Sequence, residues 1–129
     1  MHNIVVDHQR DLVFARVSGF LDAAMIAALI AEVRVVGQRL RHGANGYDLL
    51  CDLSETKVAA TVAADSFSGL LNDRSTQHLW ADRVAYFTPS TLLRLQIERA
   101  AVSRADIAVF AERRSAISWL QEERRKKAA

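Results

Sequence analysis

The hydrophobic positions in the first third of the chain follow two different periods. Two β-rich runs, Ile4–Val6 and Leu12–Val17, flank a polar segment over residues 7–11, which predicts an antiparallel hairpin. After Ser18 and Gly19 the apolar residues recur at spacings of three and four, which predicts a helix. The members of this helical stripe are Leu21, Met25, Leu29, Val33, Val36 and Leu40. Asp22 is placed to cap the start of that helix.

The middle of the chain contains a short, almost continuous apolar run at Leu49–Leu53. Strands that are covered on both faces of a parallel sheet have this pattern, so we predict that this run is the central strand. Residues 63–79 carry sparser apolar positions that indicate a helix with uncertain ends. Val84–Phe87 predicts the next strand.

The last part of the chain continues the alternation of helices and strands. Ser90 is placed to cap a helix over residues 91–102. Ile107–Phe110 predicts the last strand, and residues 112–127 predict a closing helix with Ala116, Ile117 and Leu120 on its inner face. The order is ββαβαβαβα, and we expect a single α/β domain with a mainly parallel sheet and helices packed on it.

The composition fits one packed domain. The chain has 129 residues, of which 50% are hydrophobic and 25% are charged, with five glycines and one proline. These values exclude intrinsic disorder and leave enough apolar residues for a core. We predict one domain over residues 1–123 and a basic C-terminal tail over residues 124–129.

The net charge of +2 comes from that tail. Arg124, Arg125, Lys126 and Lys127 supply four positive charges, so the remaining residues carry a net charge of −2. A protein that binds nucleic acid usually presents its positive charge on a folded face. We therefore expect no nucleic-acid partner and interpret the tail as a solvated helix end that complements the helix dipole.

The most apolar window, Phe20–Val36, is interrupted by Asp22, Glu32 and Arg34, which are too costly at membrane depth for a spanning helix. No secretory signal is visible, so we expect a cytoplasmic location without a membrane span. The single cysteine, Cys51, lies in the central apolar run, where it fits as an inert core residue.

The usual signatures of metal and nucleotide chemistry are missing from the sequence. The four histidines share no ligand spacing with one another or with Cys51. The glycines form neither a phosphate-binding loop nor a dinucleotide fingerprint, and no Gly-x-Ser-x-Gly segment is present. We predict no metal, no cofactor and no catalytic residue.

Polar residues follow two of the inner strands. Asp52 and Ser54 come at the end of the central strand, and Thr88 and Ser90 follow the next strand. Ligands of open parallel sheets bind beyond the carboxyl ends of the strands, so these four residues are candidates for a ligand or partner surface. The alternative is that they are ordinary turn and cap residues.

Large side chains are also available for an apolar pocket. Phe67, Trp80 and Tyr86 are the candidates for a cleft between a helix and the sheet, with core packing as the alternative. Trp119 lies near the end of an element, where an indole can either mark an interface or pack in the core.

Several segments together resemble the STAS domain superfamily, which includes anti-sigma-factor antagonists and domains of sulfate transporters. They are the N-terminal hairpin, the Gly19-Phe20-Leu21-Asp22 entry to the first helix, the Leu49–Ser54 strand that ends in Asp-x-Ser, and the closing Ile107–Phe110 strand followed by Ala116–Leu120. The nearest likeness is to the SpoIIAA-like, STAS/SEC14-type bacterial proteins, which are mostly uncharacterised.

The resemblance implies a phosphorylation site. In antagonist members, a serine of an Asp-Ser-Ser-Gly motif at the start of the second long helix is phosphorylated and thereby switches partner binding. The similar segment here is Asp65-Ser66-Phe67-Ser68-Gly69, which has Phe67 inserted, and Asp65 lies thirteen positions after Asp52. Ser66 and Ser68 are the corresponding candidates.

The sequence thus leads to two hypotheses about function. The first is a non-catalytic STAS-like regulatory module that acts through an unknown protein partner and forms a homodimer. The alternative is a domain that binds a small apolar ligand or lipid, as the SEC14-type likeness implies. An enzyme ranks third.

Overall fold

The computed structural model describes residues 2–21, 23–41, 46–58, 81–102 and 104–128. Its five strands are β1 (His2–Asp7), β2 (Leu12–Leu21), β3 (Asp48–Val58), β4 (Arg83–Phe87) and β5 (Ile107–Phe110). Its three helices are α1 (Ala23–Arg41), α2 (Thr91–Ala100) and α3 (Arg113–Ala128). The predicted helix over residues 63–79 lies outside the described residues.

The strands form one sheet in the order β1-β2-β3-β4-β5. β1 pairs antiparallel with β2 through the predicted hairpin, whereas the other neighbouring pairs are parallel. The prediction of an α/β fold with a mainly parallel sheet is therefore confirmed, and β3 is the central strand, as its apolar run indicated.

The ends of β2 and β3 differ from the prediction, and β3 continues to Val58, beyond the predicted run at Leu49–Leu53. Leu21, which we expected at the start of the first helix, is the last residue of β2. The reason is strand pairing, because Ser18 to Leu21 continue the ladder with β3 and Leu21 lies opposite Val58. Gly19 adopts a positive φ of 89° within this extension, a conformation that glycine adopts without strain.

The helix boundary predicted at Ser90 is confirmed. The Ser90 hydroxyl oxygen accepts a hydrogen bond from the backbone N–H of Leu93 at 3.2 Å, as an N-cap does. This bond satisfies one of the N–H groups that the first turn of α2 leaves without a partner.

Apolar side chains pack on both faces of the sheet. On one face α1 and α2 supply Ile30, Val33, Leu93 and Ile97 to the larger core, which includes Tyr47 and Cys51. Burial raises the pKa of the Cys51 thiol to about 12, which keeps it protonated and unreactive, as predicted. The other face holds a smaller cluster, in which Ala116 and Leu120 of α3 pack on Leu50, Ala85 and Phe87.

Candidate functional site

The face of the sheet that α3 covers presents its side chains in three rows across β1, β2 and β3. The register aligns every second residue of each strand, so alternate residues share this face. The rows are Asp7-Leu12-Asp48, Val5-Phe14-Leu50 and Asn3-Arg16-Asp52. An apolar row therefore lies between two rows that each contain an aspartate of β3.

α3 covers only part of these rows and leaves a groove of about 670 Å³ beside it. The helix lines the groove with one stripe of residues spaced by about one turn: Arg113, Ile117, Leu120, Gln121, Arg124 and Arg125. Val5, Leu12, Phe14 and Leu50 form the apolar floor. The groove thus opens at the amino ends of the parallel strands, away from the edge where the sequence predicted a site.

The turn between β1 and β2 closes one end of the groove. The Asp7 carboxylate accepts hydrogen bonds from the backbone N–H groups of Gln9 and Arg10, at 3.0 and 3.2 Å. Asp11 has a positive φ of 50°, and its carbonyl accepts the backbone N–H of Asp48 at 2.9 Å. These bonds fix the turn to the start of β3, so the groove has an ordered end.

An ion pair between β3 and α3 forms part of the groove wall. Arg124 Nε donates to Asp48 Oδ2 at 3.1 Å, and the side chains are 30% and 5% exposed, respectively. Burial raises the pKa of Asp48, and the charge and hydrogen bond of Arg124 oppose this effect. Among the described residues, neither Asp48 Oδ1 nor Arg124 Nη2 has a hydrogen-bond partner, although both atoms are shielded from solvent.

Arg113 lies over the apolar floor at the start of α3. Its guanidinium carbon is 4.9 Å from the centre of the Phe14 ring, a cation–π distance. Further along the helix, the Trp119 ring lies 6.0 Å from the ring of Phe110, and the two rings are tilted by 49°. Trp119 is therefore partly buried against β5, which corresponds to the core-packing alternative for this residue.

Further along β3, level with the carboxyl end of β4, both carboxylate oxygens of Asp52 accept hydrogen bonds. Oδ1 accepts the backbone N–H of Ser54 at 2.8 Å, and Oδ2 accepts Arg16 Nε at 3.3 Å. The side chain of Ser54 itself is exposed. Asp52 and Ser54 thus lie within β3, which continues to Val58, and not at the end of the strand as predicted. There Asp52 holds the Ser54 backbone and the Arg16 side chain in place.

Thr88 and Ser90 are also engaged locally. Thr88 is 1% exposed, and its hydroxyl oxygen accepts the backbone N–H of Ser90 at 3.2 Å. Its carbonyl accepts Arg94 Nη1 at 2.8 Å, and its N–H donates to the carbonyl of Phe110 at 3.0 Å. Asp52 and Thr88 lie close together because Asp52 pairs with Phe87, the residue before Thr88, in the register.

The other predicted site residues do not form a cleft with these. Tyr86 is buried in the core beneath α1 and α2, where burial raises the pKa of its phenol well above the usual value. Phe67, Trp80, Ser66 and Ser68 lie outside the described residues. The predicted apolar cleft and the predicted phosphorylation sites therefore stay predictions.

Two further observations concern the described parts of the chain. Within them, no three histidine, cysteine or acidic side chains cluster in a way that could hold a metal ion. None of the three described helices combines the length and hydropathy that crossing a bilayer requires.

Comparisons with known proteins connect this architecture to solved structures. No family model and no curated protein matches the chain. Among solved structures, the anti-sigma factor antagonist SpoIIAA in its unphosphorylated form is similar at 15% identity, with a TM-score of 0.59, over 94% of this chain and 98% of that one. The chain has a SpoIIAA-like fold. An uncharacterised protein of the DUF3478 family from Shewanella loihica PV-4, itself described as SpoIIAA-like, is similar at 18% identity, with a TM-score of 0.55, over 92% and 93% of the two chains.

The SpoIIAA-like fold was expected from the sequence, but the groove was not. Sequence reasoning missed Asp48 and Arg124, because it interpreted Arg124 as part of a solvated helix end, whereas the Arg124 side chain pairs with Asp48. A signal was present in the spacing of Arg113, Ile117, Leu120 and Arg124, which places all four on one helical stripe. The signal in β3 was the charge of Asp48 at the start of an apolar strand.

Proposed function

We propose that this chain is a non-catalytic, cytoplasmic regulatory module that acts by binding another protein. The observation that carries the proposal is the likeness of fold, over nearly the whole of both chains, to a protein whose name describes it as an antagonist of an anti-sigma factor. The other similar structure is that of an uncharacterised protein, so its name assigns no activity to the fold.

The carboxyl edge of the sheet is the contact surface that we propose. Ser90 caps α2 there, and the first two turns of this helix expose Leu92 (57%) and Leu95 (45%). These leucines are three residues apart, so they lie on the same side of the helix. Neighbouring exposed apolar side chains beside an ordered polar edge favour contact with a partner.

The local hydrogen bonds at this edge support recognition better than catalysis. Asp52 and Thr88 already bind backbone groups and arginine side chains of their own chain. Groups that are satisfied in this way hold a surface in one shape, whereas a catalytic base needs access to the proton it removes.

Site-specific photo-crosslinking tests the proposal. A crosslinking amino acid at Ser54 should capture a partner in the native host, and the same amino acid at Gln38, an exposed residue of α1, provides the control. The captured protein is then purified, and its affinity is measured for the unmodified chain and for the Leu92→Glu variant. We expect Leu92→Glu to weaken binding at least about tenfold, because a charge replaces an apolar side chain that the bound partner would cover.

The matched control is Val35→Glu, which places the same charge at an apolar residue of α1 with similar exposure, 54%. Its affinity should equal that of the unmodified chain. Equal losses in both variants, or no loss in either, would contradict the proposed contact surface.

Phosphorylation of Ser66 or Ser68 is the regulatory input that we propose for the module, and homodimerisation is its proposed assembly. Phosphate carries nearly two negative charges, which a docked partner would sense directly. Phosphopeptide mapping after incubation with the host's kinases tests the input, and light scattering of the purified chain tests the assembly. Absence of label at both serines removes the switch, and a monomer mass removes the dimer.

A further inference from the structure

The groove between α3 and the β1-β2-β3 part of the sheet has the features of a small-molecule site. Its volume of about 670 Å³ lies within the ordinary range for ligand pockets. Its floor is made of Val5, Leu12, Phe14 and Leu50, and its helical wall adds Ile117. A mostly apolar molecule would therefore gain affinity from burial there.

The polar wall of the groove indicates which group that molecule carries. Asp48 Oδ1 is an acceptor without a donor, and Arg124 Nη2 is a donor without an acceptor, among the described residues. The two residues are already joined through Asp48 Oδ2 and Arg124 Nε, so the unused atoms belong to one ion pair. A hydroxyl group donates one hydrogen bond and accepts others, so it can complement both atoms.

The charges around the groove favour a neutral ligand over an anion. Four arginines and three aspartates line it, so its positive and negative charges nearly balance. Arg10 and Arg124 have carboxylate partners in Asp7 and Asp48, which reduces the attraction left for an anionic group. A carboxylate at the Asp48 end would also meet the charge of Asp48 itself.

We propose that the groove binds a small molecule with an apolar chain along Phe14 and Leu50 and a hydroxyl group at the Asp48–Arg124 pair. The hydroxyl donates to Asp48 Oδ1 and accepts from Arg124 Nη2. Both atoms are shielded from solvent, so the Arg124 side chain, which is long and 30% exposed, has to shift for the hydroxyl to reach them. The site lies at the amino ends of the strands and is separate from the proposed protein contact.

The test uses three unbranched probes of eight or nine carbons and two-dimensional NMR spectra of the full chain. They are 1-octanol, methyl octyl ether, which lacks the hydroxyl hydrogen, and octanoate, which is an anion. We expect 1-octanol to shift saturably the backbone signals of Leu12, Phe14, Leu50 and Ile117. We expect the ether to bind about tenfold more weakly, because Asp48 Oδ1 stays unpaired.

The ether gives a sharp comparison because it carries an extra methyl group, so apolar burial alone would make it the tighter ligand. Equal or tighter binding of the ether overturns the assigned role of Asp48. Tighter binding of octanoate overturns the neutral class of ligand. Absence of saturable shifts at the groove with all three probes overturns the site.

Variants provide a second measurement. Arg124→Met should weaken 1-octanol binding about tenfold, whereas Arg114→Met, at an exposed residue of α3 that does not line the groove, should leave it unchanged. The dispersion of the spectrum shows whether each variant is folded. The comparison of octanol with its ether on the unmodified chain needs no variant, so it decides the proposal even where Arg124→Met unfolds. Equal effects of the two variants count against the ion pair as the polar site.

Discussion

Asp48 and Arg124 are 76 residues apart in the sequence, and the fold joins them by a 3.1 Å hydrogen bond between Asp48 Oδ2 and Arg124 Nε. This contact ties the start of the central strand to the last part of the C-terminal helix. It also forms one wall of the groove, so the same pair contributes to the stability of α3 and to the proposed ligand site.

Removal of the arginine should destabilise the chain more than removal of its neighbour. In Arg124→Met, Asp48 stays buried without its cation, and we expect the free energy of unfolding to fall by about 2–3 kcal/mol. Arg125→Met removes an exposed charge and should change it by less than about 0.5 kcal/mol. Urea unfolding measures the free energy of unfolding of both variants and of the unmodified chain.

The double variant Asp48→Leu/Arg124→Met tests the mechanism of that loss. It removes both charges, so the free energy of unfolding should recover most of the loss seen in Arg124→Met. A double variant that is less stable than Arg124→Met alone would mean that Asp48 stabilises the fold through another contact.

The raised pKa of Asp48 predicts a specific pH dependence. In the folded chain the Asp48 carboxyl keeps its proton up to a higher pH than in the unfolded chain, where its pKa is near the ordinary value of 3.8. Between 3.8 and the raised pKa the folded state binds more protons, so the Asp48 contribution to the free energy of unfolding falls as the pH rises through this window. Urea unfolding of the unmodified chain and of Asp48→Asn should show their stability difference moving in favour of the asparagine variant as the pH rises. A difference that is flat, or that moves in favour of the unmodified chain, would contradict the raised pKa.

Variants of Ser90 test whether this residue stabilises the fold as the cap of α2. Ser90→Ala loses the hydrogen bond to the Leu93 N–H and should lower the free energy of unfolding by about 1 kcal/mol. Ser90→Asp keeps an oxygen acceptor and should retain most of the stability. The exposed neighbour at the same edge provides the control, because Ser54→Ala should change stability by less than about 0.5 kcal/mol. Thermal unfolding of the three variants and the unmodified chain gives the comparison, and a Ser90→Ala variant as stable as the unmodified chain would mean that the cap contributes nothing.

Gly37 is a position where the rule for an isolated helix and the packed structure disagree. Alanine at a helix interior is favoured over glycine by about 1 kcal/mol. A methyl group at Gly37 of α1, however, would overlap the ring of the fully buried Tyr47. We therefore expect Gly37→Ala to destabilise the chain by about 1–3 kcal/mol.

Two comparisons decide the reason for that loss. Gln38→Ala, at the next and exposed residue of α1, should stay within about 0.5 kcal/mol of the unmodified chain. In a Tyr47→Leu background, the additional cost of Gly37→Ala should shrink, because the overlapping ring atoms are absent. An unchanged cost in that background would show that the ring is not the cause.

The hydrophobic pattern predicted most of the described elements because their periods are local. The alternation around Leu12–Val17, the continuous run at Leu49–Leu53 and the cap at Ser90 each depend on a few neighbouring residues. The pattern failed at Leu21, where an apolar residue fits both a strand end and a helix start. Pairing with Val58 decided in favour of the strand.

The candidate site was less predictable, because it depends on contacts between residues that are far apart in the sequence. Asp52 and Thr88 lie close together because Asp52, within β3, is opposite Phe87, the last residue of β4. The groove depends on which strand faces α3, on the register of β1, β2 and β3, and on how far the helix extends. None of these is encoded by the spacing of residues within one element.

The sequence by itself determined the fold class, the order of the described strands and helices, the central strand and the cap at Ser90, since each follows from periodicity or from a local hydrogen bond. Tertiary structure alone decided that Asp48 meets Arg124, that Tyr47 requires glycine at position 37, and that the face beneath α3 stays partly open. These outcomes arise where distant segments compete for the same space, and the energy of such contacts depends on positions in three dimensions.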